Sequence, residues 1–251
     1  MIRAGGSPIT PLVLLIGMPY SPWTERARWA LDHHRLSFNF LAHEPVMGEL
    51  SLRLRTRRLR GRVTVPVLQV GEDLVTDSVD IVRYADSHGY GAPLIPAELE
   101  REVLDHVAAS ERALDAARGI VLRATMASET ALLANTPSFV PGPLRLPVAR
   151  FGTGLFARKY GLSARRKEDD LETLTRELDA LSTRIAAGDT LLGRFTLADI
   201  AVAGALQVLR PADNRHWRLT PAQRLVWQEP QLSERYATLL SWRDRLYDAH
   251  R

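Results

Sequence analysis

Four short stretches carry residue types from which a site can be built. The first is "PYSPWTERARWAL", residues 19–31. Ser21 precedes Pro22, where an apolar run gives way to a helical pattern. A hydroxyl there can cap the helix, act as a nucleophile, or donate a hydrogen bond to a nucleophile that a ligand brings. The second is Val65-Pro66, inside an apolar run that reads as a strand. A proline there removes a ladder donor. It is either an edge-strand trans residue, the commoner form, or a cis residue that turns Val65 outward. In the second case the N–H and C=O of Val65 can pair with an extended ligand. The third is Asp77-Ser78, at the start of a helix. Both are good caps. A helix start also offers free N–H groups to a carboxylate, and Asp77 offers its charge to an ammonium. Together they could hold an α-amino-acid head group. The fourth is "LRLRTRRLRGR", residues 52–62, with Arg53, Arg55, Arg57, Arg58, Arg60 and Arg62. So dense a run of like charge is a solvated face, or else a cationic wall for a carboxylate.

The elements that must position these residues fall into two halves. Residues 12–16 are a continuous apolar run ended by Gly17, which reads as a buried strand. A helix is expected from residue 22 to about residue 34, with Ala27, Ala30, Leu31 and His34 on one face and Trp23 a turn earlier. Alternation of Leu36, Phe38 and Phe40 gives a second strand over 35–41, and the crossover makes the pair parallel. Residues 63–70 and 74–76 form an antiparallel hairpin across Gly71-Glu72-Asp73, followed by the helix that Asp77-Ser78 opens. "HGYGAPLIP", residues 88–96, reads as a linker. Beyond it the pattern is helical: a long stretch over 98–128, then 148–160, 166–187, 197–209 and 233–247. The four prolines of residues 135–147 predict a loop. Phe195-Thr196-Leu197-Ala198-Asp199-Ile200 is a capping-box signature with staple positions at Phe195 and Ile200.

Composition bounds the chemistry. The 251 residues are 45% hydrophobic and 25% charged, with a formal net charge of +4, which is ordinary for a globular chain able to bury a core. Residues 1–10 read as a loose leader, and no window is long enough to span a bilayer. The mild positive charge tolerates anionic small molecules and does not argue for nucleic acid. The arginine run also lacks the interleaved aromatics that bind single strands. There is no cysteine, so disulfides, thiolate metal sites and a cysteine nucleophile are all excluded. A cytoplasmic location fits that usage.

In this order, "YSPWTERARWAL", "VPVL", "TDSVDIVRYA", the Gly/Pro linker, an all-helical half and "FTLADI" resemble a cytosolic glutathione S-transferase, over residues 12–248. The resemblance implies an α/β thioredoxin-like domain over 10–87, a linker over 88–97 and an all-α bundle over 98–251. It implies glutathione as co-substrate, no metal, a homodimer, and a role in detoxification. Ser21 stands where Ser- and Cys-type members place their catalytic residue. Val65, ahead of an expected cis-Pro66, would pair with the cysteinyl backbone of glutathione, and Asp77 and Ser78 would hold its γ-glutamyl head group. Relatives often carry Asn-Pro-x-Gly-Lys ahead of the Val-Pro strand, where this chain has Leu59-Arg60-Gly61-Arg62-Val63-Thr64. The glycyl carboxylate therefore falls to one of the nearby arginines.

Members with a cysteine at the Ser21 position run thiol–disulfide chemistry through a mixed disulfide, which this chain cannot form. The expectation is that Ser21 donates to the glutathione sulfur, with Tyr20 and Thr24 as reserve hydroxyls. The thiolate then attacks a hydrophobic electrophile held between Tyr20, Trp23 and Met126, or adds reversibly in an isomerisation. The competing expectation is a non-catalytic binding and dimerisation module of the same fold.

Overall fold

The structure is a computed structural model that describes residues 13–45, 48–137, 139–185 and 188–251. The leader at residues 1–10, the first residue of the initial strand and the last two of the helix expected to end at residue 187 lie outside these. Strand β1 (Val13–Gly17) leads into helix α1 (Pro22–His33), strand β2 (Asn39–Ala42) and a short helix α2 (Glu49–Arg55). Strands β3 (Val67–Val70) and β4 (Asp73–Val75) then lead into α3 (Ser78–His88). The sheet order is β2-β1-β3-β4, with β1 parallel to β2 and antiparallel to β3, and β3 antiparallel to β4. This is a thioredoxin-like half.

The pleat explains how the sheet is covered. Leu15 and Leu68 are paired across β1 and β3 and join the large core with Ala27, Leu31 and Ile81. Their neighbours Ile16 and Val67 point the other way, into a second cluster with Leu52 of α2. Gly17 ends β1 because α1 starts almost on top of it: a Cβ there would lie 2.4 Å from the Thr24 side chain. α1 stops at a left-handed Arg35, φ 54°, whose N–H bonds to the Asp32 carbonyl while Leu36 N–H reaches Leu31.

The second half is helical: α4 (Glu100–Ala127), α5 (Glu129–Ala134), α6 (Gly142–Lys159), α7 (Lys167–Ile185), α8 (Leu197–Ala205), α9 (Pro221–Val226), α10 (Pro230–Arg235) and α11 (Ala237–His250). One apolar core runs through both halves, from Leu15 and Trp29 to Leu178, Val202 and Trp242. No described helix is long and apolar enough to cross a membrane.

Several elements differ from expectation. The second strand is shorter, because Leu36 and Phe38 pack on the core ahead of the ladder. The third starts at Val67, since Pro66 has no N–H to give. α6 begins at residue 142, inside the proline-rich stretch predicted as loop: Pro143 occupies its first turn, where the missing N–H costs nothing, and Pro147 lies within it. Part of the arginine run is helical, as α2. The last helix is broken at Tyr236 into α10 and α11.

The capping box of α8 is formed by Thr196 and Asp199. Asp199 is fully buried and accepts from Leu191 N–H and Thr196 N–H, each at 2.8 Å. Burial pushes its carboxyl above the usual range, against the pull of these bonds. Phe195 does not serve only as a staple: its ring stacks on His250 at 4.1 Å and lies 5.9 Å from Trp29. Asp199→Ala strands two N–H groups as well as losing the cap, so it is expected to destabilise by about 2–4 kcal/mol. Urea unfolding checks this, and a loss under about 1 kcal/mol would contradict it.

Candidate active site

The end of β1, the start of α1, the Val65-Pro66 turn and the start of α3 all open on one cavity of about 1130 Å³. α4 and α6 wall it from the helical side. Ser21, Tyr20, Trp23, Val65, Pro66, Asp77 and Ser78 all line it. Met126 does not: it is 49% exposed, and Leu122 and Thr125 face the cavity instead. Thr24 is also absent from the lining. It is buried, and its Oγ1 accepts the Met18 N–H at 3.2 Å, so it shapes the β1–α1 turn.

Ser21 is the N-cap of α1, and its Oγ accepts the Thr24 N–H at 3.4 Å. Its own N–H bonds to the Met18 carbonyl. Capping uses the hydroxyl oxygen as an acceptor and leaves the proton for donation. The same side chain can therefore cap the helix and donate into the cavity, beside the positive end of the helix dipole. Tyr20 is half-buried, and burial, helped by the charge of Glu44, pushes its phenol up to about 12. It stays protonated at neutral pH.

The Val65-Pro66 bond is cis. β3 begins only at Val67, and neither the N–H nor the C=O of Val65 meets a backbone partner among the described residues. Both groups are open to an extended ligand. Asp77 caps α3 by accepting the Val79 N–H at 2.8 Å.

Ser78 rests on a charge that the sequence did not disclose. Arg26 on α1 is 2% exposed. Its Nη1 donates to Ser78 Oγ at 3.2 Å and to Glu111 of α4 at 2.7 Å, and its Nη2 donates to Ser110 Oγ at 3.4 Å. The second Glu111 oxygen accepts from Trp23 Nε1 at 2.6 Å. One carboxylate thus holds both the buried guanidinium and the cavity-lining indole. Ser78 accepts from Arg26, which leaves its own proton free to donate. The helical periodicity of residues 22–34 put Arg26 on no particular partner, and Glu111 lies 85 residues away.

Of the arginine run, Arg62 is the member that lines the cavity. Arg53 is bound to Glu49, which also accepts from Lys159 at 2.9 Å. Partial burial works to raise the Glu49 carboxyl, but these two cations outweigh it and hold it below the usual range. Deeper in, Arg118 lies between the rings of Trp23 and Tyr160, and burial lowers its guanidinium against the pull of Tyr160 and Asp115. The rest of that wall is largely apolar, including Leu114, Val121, Phe151 and Phe156. No group of three or more His, Asp or Glu able to hold a metal occurs among the described residues.

The thioredoxin-like half thus sets a cis proline and a helix N-terminus on one cavity. Residues 15–93 match the family model for the glutathione S-transferase N-terminal domain. The chain carries a glutathione S-transferase N-terminal domain. No curated protein sequence matches it. Among solved structures, a glutathione S-transferase domain-containing protein of Marinobacter aquaeolei VT8 aligns with TM-score 0.61 at 18% identity, over 94% of this chain and 98% of that one. A glutathione S-transferase of Methylobacterium radiotolerans, in complex with glutathione sulfonate, gives 0.60 at 17%, over 94% and 91%. One from Ceriporiopsis subvermispora, in complex with glutathione, gives 0.60 at 17%, over 93% and 97%. At such identities these likenesses show the shared fold, in both the thioredoxin-like and the helical half of the chain.

Proposed function

We propose that the protein is a glutathione S-transferase that activates the glutathione thiolate for attack on a hydrophobic electrophile. The observation that carries this reading is the convergence of Ser21, Val65, Asp77 and Ser78 on one cavity. Each offers a different kind of contact: a hydroxyl donor, an open backbone pair, a carboxylate, and a hydroxyl at a helix start. That set matches an extended γ-glutamyl peptide. Its cysteinyl backbone pairs with Val65, its ammonium meets Asp77, and its α-carboxylate meets Ser78 over the Arg26 charge. Its glycyl carboxylate meets Arg62, the arginine of its run that lines the cavity. The thiol loses its proton to solvent, and the Ser21 O–H and the α1 dipole stabilise the sulfur anion. The sulfur then forms a bond to an electrophilic carbon as a leaving group departs, or adds to a conjugated double bond. Tyr20, Trp23 and the apolar wall of α4 and α6 supply the acceptor side.

The reading carries a division into a glutathione-binding domain over 10–87, a linker over 88–97 and a helical domain over 98–251, and a homodimer as its assembly. Calorimetric titration with glutathione, followed by an acceptor panel of a halonitrobenzene, an enone and an isothiocyanate, tests it. Binding and conjugation with at least one acceptor are expected. Isomerisation of a conjugated ketone without net glutathione consumption would point to the reversible-addition variant. Binding without any turnover would leave a binding module, and no binding would refute the reading.

A further inference from the structure

Tyr160 ends α6 where that helix meets the segment leading to Val65. Its ring lies between two guanidinium groups, with Arg62 4.4 Å and Arg118 4.1 Å from the ring centroid. Arg118 in turn lies 4.5 Å from the Trp23 ring. A cation–π ladder therefore runs from α1 through α4 and α6 to residue 62, and all four residues line the cavity. Beside it, Lys159 Nζ donates to Glu49 at 2.9 Å and to the Val63 carbonyl at 3.1 Å. The C-terminal end of α6 thus grips residues 62–63 by two separate contacts.

Arg62 itself is exposed. The acid of this stretch, Glu49, is taken by Arg53 and Lys159, and Arg62 has no carboxylate partner among the described residues. A free arginine samples many rotamers, and a ligand that captures it must overcome that freedom. Stacking on an aromatic face removes part of the freedom beforehand and leaves the edge N–H donors available.

We infer that Tyr160 is a positioning residue, which holds Arg62 ready for the glycyl carboxylate, so that the helical half sets the affinity for the far end of the tripeptide. The inference rests on the proposed reading that glutathione occupies this cavity. It is tested by calorimetry with glutathione and with γ-glutamylcysteine, which lacks the glycyl residue. The proteins are the wild type, Tyr160→Phe, Tyr160→Leu, Arg62→Gln and the Tyr160→Leu/Arg62→Gln double variant. Tyr160→Leu is expected to raise the Kd for glutathione roughly five- to tenfold, and Tyr160→Phe to stay within about twofold of the wild type. γ-Glutamylcysteine should bind all of them alike, and the Leu effect should vanish on the Arg62→Gln background. In turnover the change should fall on KM for glutathione more than on kcat. Equal losses for both thiols, or an undiminished Leu effect without Arg62, would overturn the inference. If Tyr160→Leu does not fold, Tyr160→Met takes its place, and Arg62→Gln alone must still separate the two thiols. A wild type that binds glutathione, beside an unaffected Leu variant, overturns this inference only. A wild type that does not bind glutathione removes the functional reading and this inference with it.

Discussion

Replacing Ser21 with alanine is expected to cut kcat/KM at pH 7 by about 10- to 100-fold. The argument starts from the atom. Ser21 Oγ already accepts the Thr24 N–H, so its proton is what remains for the sulfur. One hydrogen bond to an anion contributes roughly 1.5–3 kcal/mol, equivalent to about one to two pK units. The bond favours the thiolate over the thiol, so its loss raises the pKa of bound glutathione. The sign then fixes the pH profile. The rising limb of kcat/KM should move to higher pH by that one to two units, and the gap to the wild type should narrow once pH exceeds both pKa values. A cap alone predicts something else: about 1 kcal/mol of lost stability and an unshifted limb. Thiolate absorbance of bound glutathione against pH separates the two. An unmoved titration in Ser21→Ala would remove Ser21 from the chemistry and leave it as a cap. Tyr20 cannot take over by ionising, since burial has pushed its phenol up to about 12.

What was legible in the chain is what the backbone settles locally. The β1–α1 junction, the hairpin and the start of α3 each depend on a few adjacent residues with a strong conformational preference. Ser21-Pro22 is a helix start whatever surrounds it. Gly71-Glu72 is a turn for the same kind of reason, although Asp73, expected in the turn, already pairs with Val70 as the first residue of β4. Val65-Pro66 was half legible: the proline marked a break in the ladder, but only the assembled sheet shows the bond to be cis. Short helices were not legible. α2, α5 and α9 have seven, six and six residues, too few for a period to show, and they stand because neighbours hold them. Met126 was misplaced along the helix axis and not by phase. It shares a helix face with Leu122, which lines the cavity, but it is the penultimate residue of α4 and is exposed. Arg26 and Glu111 were missed for a different reason. A charge in a helical pattern reads as solvent-facing, and nothing local says that α1 is enclosed by both halves of the molecule.

That enclosure makes the Arg26–Glu111 pair the second test with a large effect. Arg26 is 2% exposed, whereas the Glu111 side chain is 40% exposed. Removing Glu111 therefore leaves a buried cation with only the hydroxyls of Ser78 and Ser110. Stripping one partner from a buried pair costs about 3–5 kcal/mol, and the partial exposure of Glu111 places the expected loss for Glu111→Leu near 3 kcal/mol. For a chain of this size that is a fall in melting temperature on the order of 10 °C. The double variant Arg26→Met/Glu111→Leu removes the stranded charge as well. Well-packed apolar replacements of buried pairs are often neutral, so it should recover most of the lost stability. It should not recover glutathione binding, because Ser78 loses the guanidinium beneath it and the Trp23 indole loses its acceptor. Thermal melts of the wild type and the two variants, and calorimetry on the double variant, make the comparison. A double variant that is as stable as the wild type and binds glutathione as tightly would show the pair to be packing alone. Recovery of stability without binding would mean that this buried charge is kept for the ligand, and that α4 takes part in glutathione recognition through α1.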